Sequence, residues 1–236
     1  YLTIFGTSTI VRGFANSVLY TVVGTTLSVA MILTGAYALS RRDMPGRNLF
    51  MILFVITMFF DGGMIARYLV VKELGMLNTL WAVVLPGAVG VWNLIIARTF
   101  LQQNLSPELR EAAQLDGASD FRFFFGIAIP LSKPLIVLMV MIHLVANWNA
   151  FFDAMIYLND ESKYPLQLIL RNVLIQSQAS SSGMDMASMD STAAAQRMGE
   201  LLKYSMIVVS TIPLLIAFPF LQRHFIKGAT LGALKS

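Results

Sequence analysis

The feature that most limits what this chain can fold into is a series of apolar runs, each close to the thickness of a bilayer. Phe14–Leu39 is one such run, long enough as a helix to cross about 30 Å of hydrocarbon with some tilt. It is rich in small and hydroxylated residues (Gly24, Thr25, Thr26, Ser28, Ala30, Thr34, Gly35), which let helices approach closely inside a membrane. That span is therefore expected to pack in a bundle. The composition agrees: 56% of residues are hydrophobic and 13% charged, against roughly 45–50% and about 25% in soluble domains. The fold class expected is an all-α integral membrane protein, with residues 1–236 forming a single domain.

Four further spans are read along the chain. One starts near Asn48 and continues to Val71, interrupted at Asp61-Gly62-Gly63, where the helix is expected either to kink or partly unwind, or simply to end near the surface. The next is Leu80–Leu101, bent by Pro86, Gly87 and Gly90; then come Leu135–Tyr157 and Leu201–Leu221. The segment 158–200 is the longest polar stretch, with a short amphipathic helix over Leu166–Ile175 and a mobile serine- and methionine-rich part after it. The chain starts at Tyr1 with no charged n-region ahead of an apolar core, so no signal peptide is read, and part of the N-terminus is expected to be missing. Cysteine is absent, which excludes disulfides and thiolate chemistry.

Between the third and fourth spans lies a polar, charged island, residues 106–134. Ser106-Pro107 reads as an N-cap followed by proline at the first helical position. Glu108 and Glu111 suit the positive end of that helix, and Gly117 can adopt the left-handed conformation that ends it. Ser119 and Asp120 can cap a second helix carrying Phe121, Phe123, Phe124 and Phe125. The expected shape is an elbow with one apolar side. It is either an amphipathic loop resting on headgroups or a knob docked on a partner, because so much surface apolarity usually meets one.

Charge gives the orientation. Arg41, Arg42, Arg47, Arg98, Arg110, Arg122, Lys133, Arg223, Lys227 and Lys235 fall on one side, and seven cations on the other. Long loops count little in this rule, so the short basic loops place the elbow in the cytoplasm and Tyr1 outside.

No P-loop is present, and neither His143 nor His224 has metal-ligand spacing, so no catalytic residue and no metal site are assigned. Polar groups inside spans tend to face a bundle interior or a watery cavity. His143 and Asn147 share a helix face, as do Asn149 and Asp153, with Trp148 between them. Amides beside a flat ring suit a sugar, and Trp92 with Asn93 offers a second such pair. Interhelical hydrogen bonding with an interfacial aromatic anchor explains the same residues. As a substrate pathway the candidates are Asn93, Asn147, Trp148, Asn149 and Asp153.

The run Glu111-Ala112-Ala113, three residues, Gly117, nine residues, then Ile127-Ala128-Ile129-Pro130 resembles the EAA motif of permease subunits in binding-protein-dependent ABC importers. Isoleucine stands at 129 where that family usually has leucine. Asn147–Ala154, Gly62-Gly63 and the Pro219–Gly228 region are similar to the maltose-type carbohydrate branch, notably its importers of oligosaccharides and of polyuronates such as alginate. The resemblance implies a permease of the bacterial cytoplasmic membrane with a sixth span upstream of the five seen here. It implies a second permease subunit in a heterodimer, two ATP-binding subunits that carry ATP and Mg, and an external solute-binding protein. This chain itself then binds no cofactor and is no enzyme. The expected partners are these subunits, membrane lipid and a carbohydrate, not nucleic acid. The coupling elbow would act through Glu108, Glu111, Ala112, Ala113, Asp116, Gly117, Phe123, Phe124, Phe125 and Pro130. An ion-coupled secondary transporter or channel using Asp61, His143 and Asp153 is the rival reading, and a membrane-embedded enzyme or scaffold a further one.

Overall fold

The computed structural model describes residues 8–182 together with 208, 210–213, 215, 216 and 219. Among the described residues all regular structure is helical. The organising element is α1, Ser8–Ser40, which begins ahead of the apolar run and takes in part of what reads as a polar lead-in. Ser17, Thr21, Thr25, Ser28, Ile32, Ala36 and Leu39 form one buried stripe along it at helical spacing. The stripe is small and hydroxylated in its first half and aliphatic in its second. α1 packs most extensively against α8 (Lys133–Asn149) and α5 (Val91–Asn104).

Small residues make those approaches possible. A Cβ on Gly24 would stand 3.0 Å from the Asn147 amide, and one on Gly35 would stand 3.3 Å from Leu94. The larger aliphatic core gathers Ile32, Ala36, Leu94, Ala97, Leu135 and Met139, and extends without a break to Ala113, Phe123 and Phe124 of the elbow.

The other spans are more broken than their hydropathy suggests. After α1 come α2 (Arg47–Phe59) and α3 (Gly63–Glu73), bent by 117° at the break. The glycine step therefore does end a helix, but the second piece folds back instead of continuing the crossing. Gly63 has φ +79°, a conformation that side chains disfavour, and the Asp61 carboxylate accepts its backbone N–H at 3.1 Å. Leu80–Leu101 is not one bent helix: α4 (Leu80–Val84) stops before Pro86, and α5 starts only at Val91. Proline cannot donate the next rung, and Gly90 is extended (φ −80°, ψ 118°). Leu135–Tyr157 likewise divides at Ala150 into α8 and α9 (Phe152–Tyr157).

The short pieces cover one another. Leu80 and Val83 of α4 pack beside Ala154 and Leu158, and Ala82 packs beside Tyr157. Irregular backbone at membrane depth is tolerated when protein surrounds it. Among the described residues one helix, Thr9–Ser40, can by length and composition cross a membrane alone, or up to three segments if each bent pair counts as one. The expected last span, Leu201–Leu221, and the basic tail lie largely outside the described residues, as does most of the serine- and methionine-rich stretch. Its first part continues α10, Leu166–Ser182, beyond the predicted Ile175.

At the start of α1 the chain is pinned by the loop before α10. Asn16 donates to the carbonyls of Ser162 (2.8 Å) and Tyr164 (3.2 Å), Tyr20 to that of Lys163 (2.7 Å), and Ser17 accepts the Leu166 N–H at 2.8 Å. The polar segment after Tyr157 is thus fastened, at least to Leu166, rather than loose. Replacing Gly24 with leucine should push α8 away from α1 and cost about 1–3 kcal/mol. Thermal unfolding of the purified protein in detergent measures this, and Gly24→Ala should lose less.

Candidate functional site

The sequence between α5 and α8 builds the elbow locally. Ser106 accepts the Leu109 N–H at 3.3 Å and Pro107 opens α6, Pro107–Leu115. The backbone turns at Gly117 with φ +77°. Ser119 accepts the Arg122 N–H at 3.3 Å and starts α7, Asp120–Leu131. α7 relaxes into a π-helical turn over Phe124–Ala128. At Ser132 the direction changes by 78° into α8. The capping residues and the glycine hinge stand where the sequence puts them.

The four phenylalanines do not form one exposed face. Phe123 and Phe124 are buried against Tyr37 of α1, with ring centroids 6.4 and 4.8 Å away. They anchor the elbow inside the chain and are not free to fill a partner's groove, which corrects the expectation for those two residues. Phe121 and Phe125 are 79% and 65% exposed and Leu115 is 90% exposed, so these three carry the outward apolar surface. Leu115 and Phe121 escaped the sequence-based site assignment. Ala113 is packed in the core, whereas Glu108, Glu111, Ala112, Asp116, Gly117 and Pro130 lie on the exposed side. The Glu111 carboxylate forms no hydrogen bond or ion pair among the described residues, so it does not fasten the elbow internally.

That fastening comes from a quartet of charges. Arg41, just past the end of α1, bonds Asp43 at 2.7 Å and Asp120 at 2.8 Å. Arg110 of α6 bonds Asp43 at 2.7 Å and Asp120 at 3.2 Å. Two arginine forks thereby share two carboxylates, joining the α1–α2 loop to both helices of the elbow. Arg41 first, then Arg110, hold the Asp43 carboxyl well below the usual range; Asp120 is lowered chiefly by Arg41. Glu108 is lowered by its own backbone N–H and by the Ser106 hydroxyl at the helix start. The quartet borders a cavity of about 790 Å³ enclosed by the end of α1, α5 and α6, whose walls carry Arg41, Arg42, Arg47, Arg98 and Arg110. Cations spread over five places in the sequence meet at one end of the bundle, the end that the charge bias assigns to the cytoplasm.

The interior polar residues are mostly engaged with each other. Asn93 Nδ2 lies 3.2 Å from His143 Nε2, joining α5 to α8. Asn147 donates to Thr25 at 3.4 Å, joining α8 to α1. The Trp148 indole is buried, donates to the Ser210 carbonyl at 2.8 Å, and meets Phe14 edge-on at 5.7 Å. Trp148 is therefore a packing anchor and offers no open ring face to a sugar. Asn149 is exposed, its amide turned to the Val145 carbonyl at 2.9 Å and reached by Gln167 at 3.5 Å. Asp153 stays partly exposed within electrostatic reach of Arg67. Among the described residues no side-chain hydrogen bond joins the five pathway candidates to one another.

Comparison with known proteins decides the family. The family described as "Binding-protein-dependent transport system inner membrane component" matches residues 4–231. The chain belongs to this family. The permease is 44% identical over 237 residues to the polygalacturonan/rhamnogalacturonan transport system permease protein YtcP of Bacillus subtilis (strain 168), covering all of this chain and 80% of that protein. It is 43% identical over 235 residues to Protein LplC of the same organism, covering all of this chain and 78% of that one. Its fold matches a crystal structure of a bacterial ABC transporter involved in the import of the acidic polysaccharide alginate. The TM-score there is 0.82 at 30% identity, over 94% of this chain and 78% of that one. The permease is thus an inner-membrane component of a binding-protein-dependent transport system, and the family is one of non-enzymatic membrane subunits.

The quartet sets a pH dependence. Both carboxylates are depressed in the folded state, so their contribution is present above about pH 4 and is lost as pH falls through the lowered values. Asp43 is about half exposed, with 49% of its side chain accessible, so solvent screens the gain to on the order of 1 kcal/mol. Asp43→Asn should lower unfolding stability by that amount near neutral pH, and the gap to the unmodified protein should close as pH drops below about 4. Melting curves of both proteins across that range read the effect.

Proposed function

We propose that this permease is one of two membrane subunits of an ATP-driven importer that moves an oligosaccharide or polysaccharide fragment, acidic ones foremost, into the cytoplasm by alternating access. Its residues form a single transmembrane domain. Two separate ATP-binding subunits supply the hydrolysis, with ATP and Mg held on them, and an external solute-binding protein delivers the substrate. The relatives that carry polygalacturonan or alginate in their descriptions support the acidic class.

The carrying observation is the elbow: an exposed apolar tip of Leu115, Phe121 and Phe125 on a bend fastened to α1 by the charge quartet and by Tyr37. A partner that grips the tip pushes on α1 and α8 directly, because the elbow shares their core. Glu108, Glu111 and Asp116, exposed around the tip, are the polar contacts offered to the ATP-binding subunit. Gly117 permits the bend, Ala112 allows close approach, and Pro130 lies near the junction with α8. Substrate is met by Asn149 and Asp153, the candidates left accessible, while Asn93, Asn147 and Trp148 hold the walls of the pathway in place.

Two variants separate grip from packing. Phe125→Ala should leave the permease as stable as before and weaken its hold on the ATP-binding subunit by about tenfold to a hundredfold. Phe124→Ala should destabilise the permease itself, by about 3 kcal/mol. Melting of the permease and pull-down of its ATPase partner distinguish the two, and an unchanged pull-down for Phe125→Ala removes the tip from the interface. The function as a whole is tested by ATP hydrolysis of the reconstituted complex with its binding protein. Acidic oligosaccharides should stimulate it more than neutral ones, and uptake that persists without the ATP-binding subunits contradicts the reading.

A further inference from the structure

The cavity beside the elbow holds more positive charge than its own carboxylates neutralise. Arg41 and Arg110 are matched by Asp43 and Asp120, and Arg42 lies within reach of Glu108. Arg47 and Arg98 have no carboxylate partner among the described residues. Arg98 Nε donates to the Leu39 carbonyl at 3.0 Å, and Arg47 Nη1 reaches the Arg41 carbonyl at 3.5 Å. Cations at the end of a helix complement its dipole, which accounts for one nitrogen of each guanidinium. It leaves the remaining donors of both forks unused on the wall of the same cavity. The two guanidiniums are also close enough to repel one another. Two further atoms of wall residues, Tyr37 Oη and Arg110 Nε, are buried without a hydrogen-bond partner. The wall also carries the Glu111 carboxylate, so five arginines face two lining carboxylates, Asp43 and Glu111, across the cavity.

We propose that this cavity is a binding site for a phosphate-bearing anion, with Arg47 and Arg98 as its principal ligands and Arg42 at its rim. A phosphate brings several acceptor oxygens to planar donor forks and can bond two guanidiniums at once. The volume, about 790 Å³, accommodates a headgroup or a small polyphosphate. Its position, where α1 ends in a basic loop, is where an anionic inner-leaflet headgroup would meet the protein. The same chemistry would take a free phosphate from the cytoplasm. Bound there, the anion would bridge α5 to the start of α2 and brace the base of the elbow. This inference stands on the geometry of the chain and does not require the transport reading.

The test uses the complete transporter, purified and placed in phosphatidylcholine nanodiscs with and without phosphatidylglycerol. Native mass spectrometry counts retained phosphatidylglycerol, and calorimetry measures binding of inorganic pyrophosphate. Retention of the lipid identifies a headgroup site, and saturable pyrophosphate binding identifies a free-anion site. In either case Arg47→Gln and Arg98→Gln should each weaken binding about tenfold, while Arg12→Gln, at the other end of α1, should not. Because Arg98 also caps α1, Arg47→Gln is read separately, on protein whose melting curve matches the unmodified complex. The proposal is overturned if the unmodified complex binds neither anion, as would follow if a carboxylate of the ATP-binding subunit occupied the cavity. It is equally overturned if Arg47→Gln binds as well as the unmodified complex.

Discussion

The arrangement depends on two arginine forks closing on two carboxylates where α1 ends. Arg41 and Arg110 approach Asp43 and Asp120 from different elements, so no one helix can shift without breaking ion pairs on another. Each pair alone, partly exposed, would contribute little. The geometry matters more than the sum, because it lies beside the Tyr37–Phe124 contact and extends a packed apolar core with a directional lock. A bend that would otherwise swing about Gly117 becomes a rigid extension of α1. A flexible loop gripped by a motor absorbs its motion; a braced one passes it on.

The same economy explains the interior. Among the described residues only α1 is long and apolar enough to cross unaided, and the helices around it are assembled from pieces that stop and restart. Breaks at Pro86, Gly90 and Ala150 are tolerable because α4 and α9 cover each other and because Asn78 accepts the N–H groups of Asn159 and Asp160. The hydroxyls and small residues of α1 line the first half of its buried stripe, where Asn147 crosses to Thr25.

Much of this was legible in the sequence, for local reasons. Caps, proline at the first helical position and a hinge glycine depend on adjacent residues, so the two helices of the elbow were placed by Ser106, Pro107, Gly117 and Ser119. The EAA pattern carried the family. What failed depended on tertiary neighbours. Hydropathy counts apolar residues and cannot see that Leu80–Leu101 will divide at its proline. Phe123 and Phe125 are the same residue type two positions apart, and only the helix phase relative to α1 buries one and exposes the other. Trp148 read as a sugar platform because nothing in its own segment announced Phe14 or the Ser210 carbonyl. The quartet joins positions 41, 43, 110 and 120, and no local pattern links them; the excess of cations on one side of the chain was its single trace.

The rigid bend is measured most directly by a distance within the assembled transporter. These 236 residues contain no cysteine, so Thr34→Cys in α1 and Leu115→Cys at the tip of the elbow can carry a pair of spin labels. Pulsed electron resonance should then give one narrow distance that stays the same when ATP closes the partner subunits. A distance that broadens or shifts by several ångströms on ATP binding would mean that the elbow swings free of α1, and would contradict transmission through it.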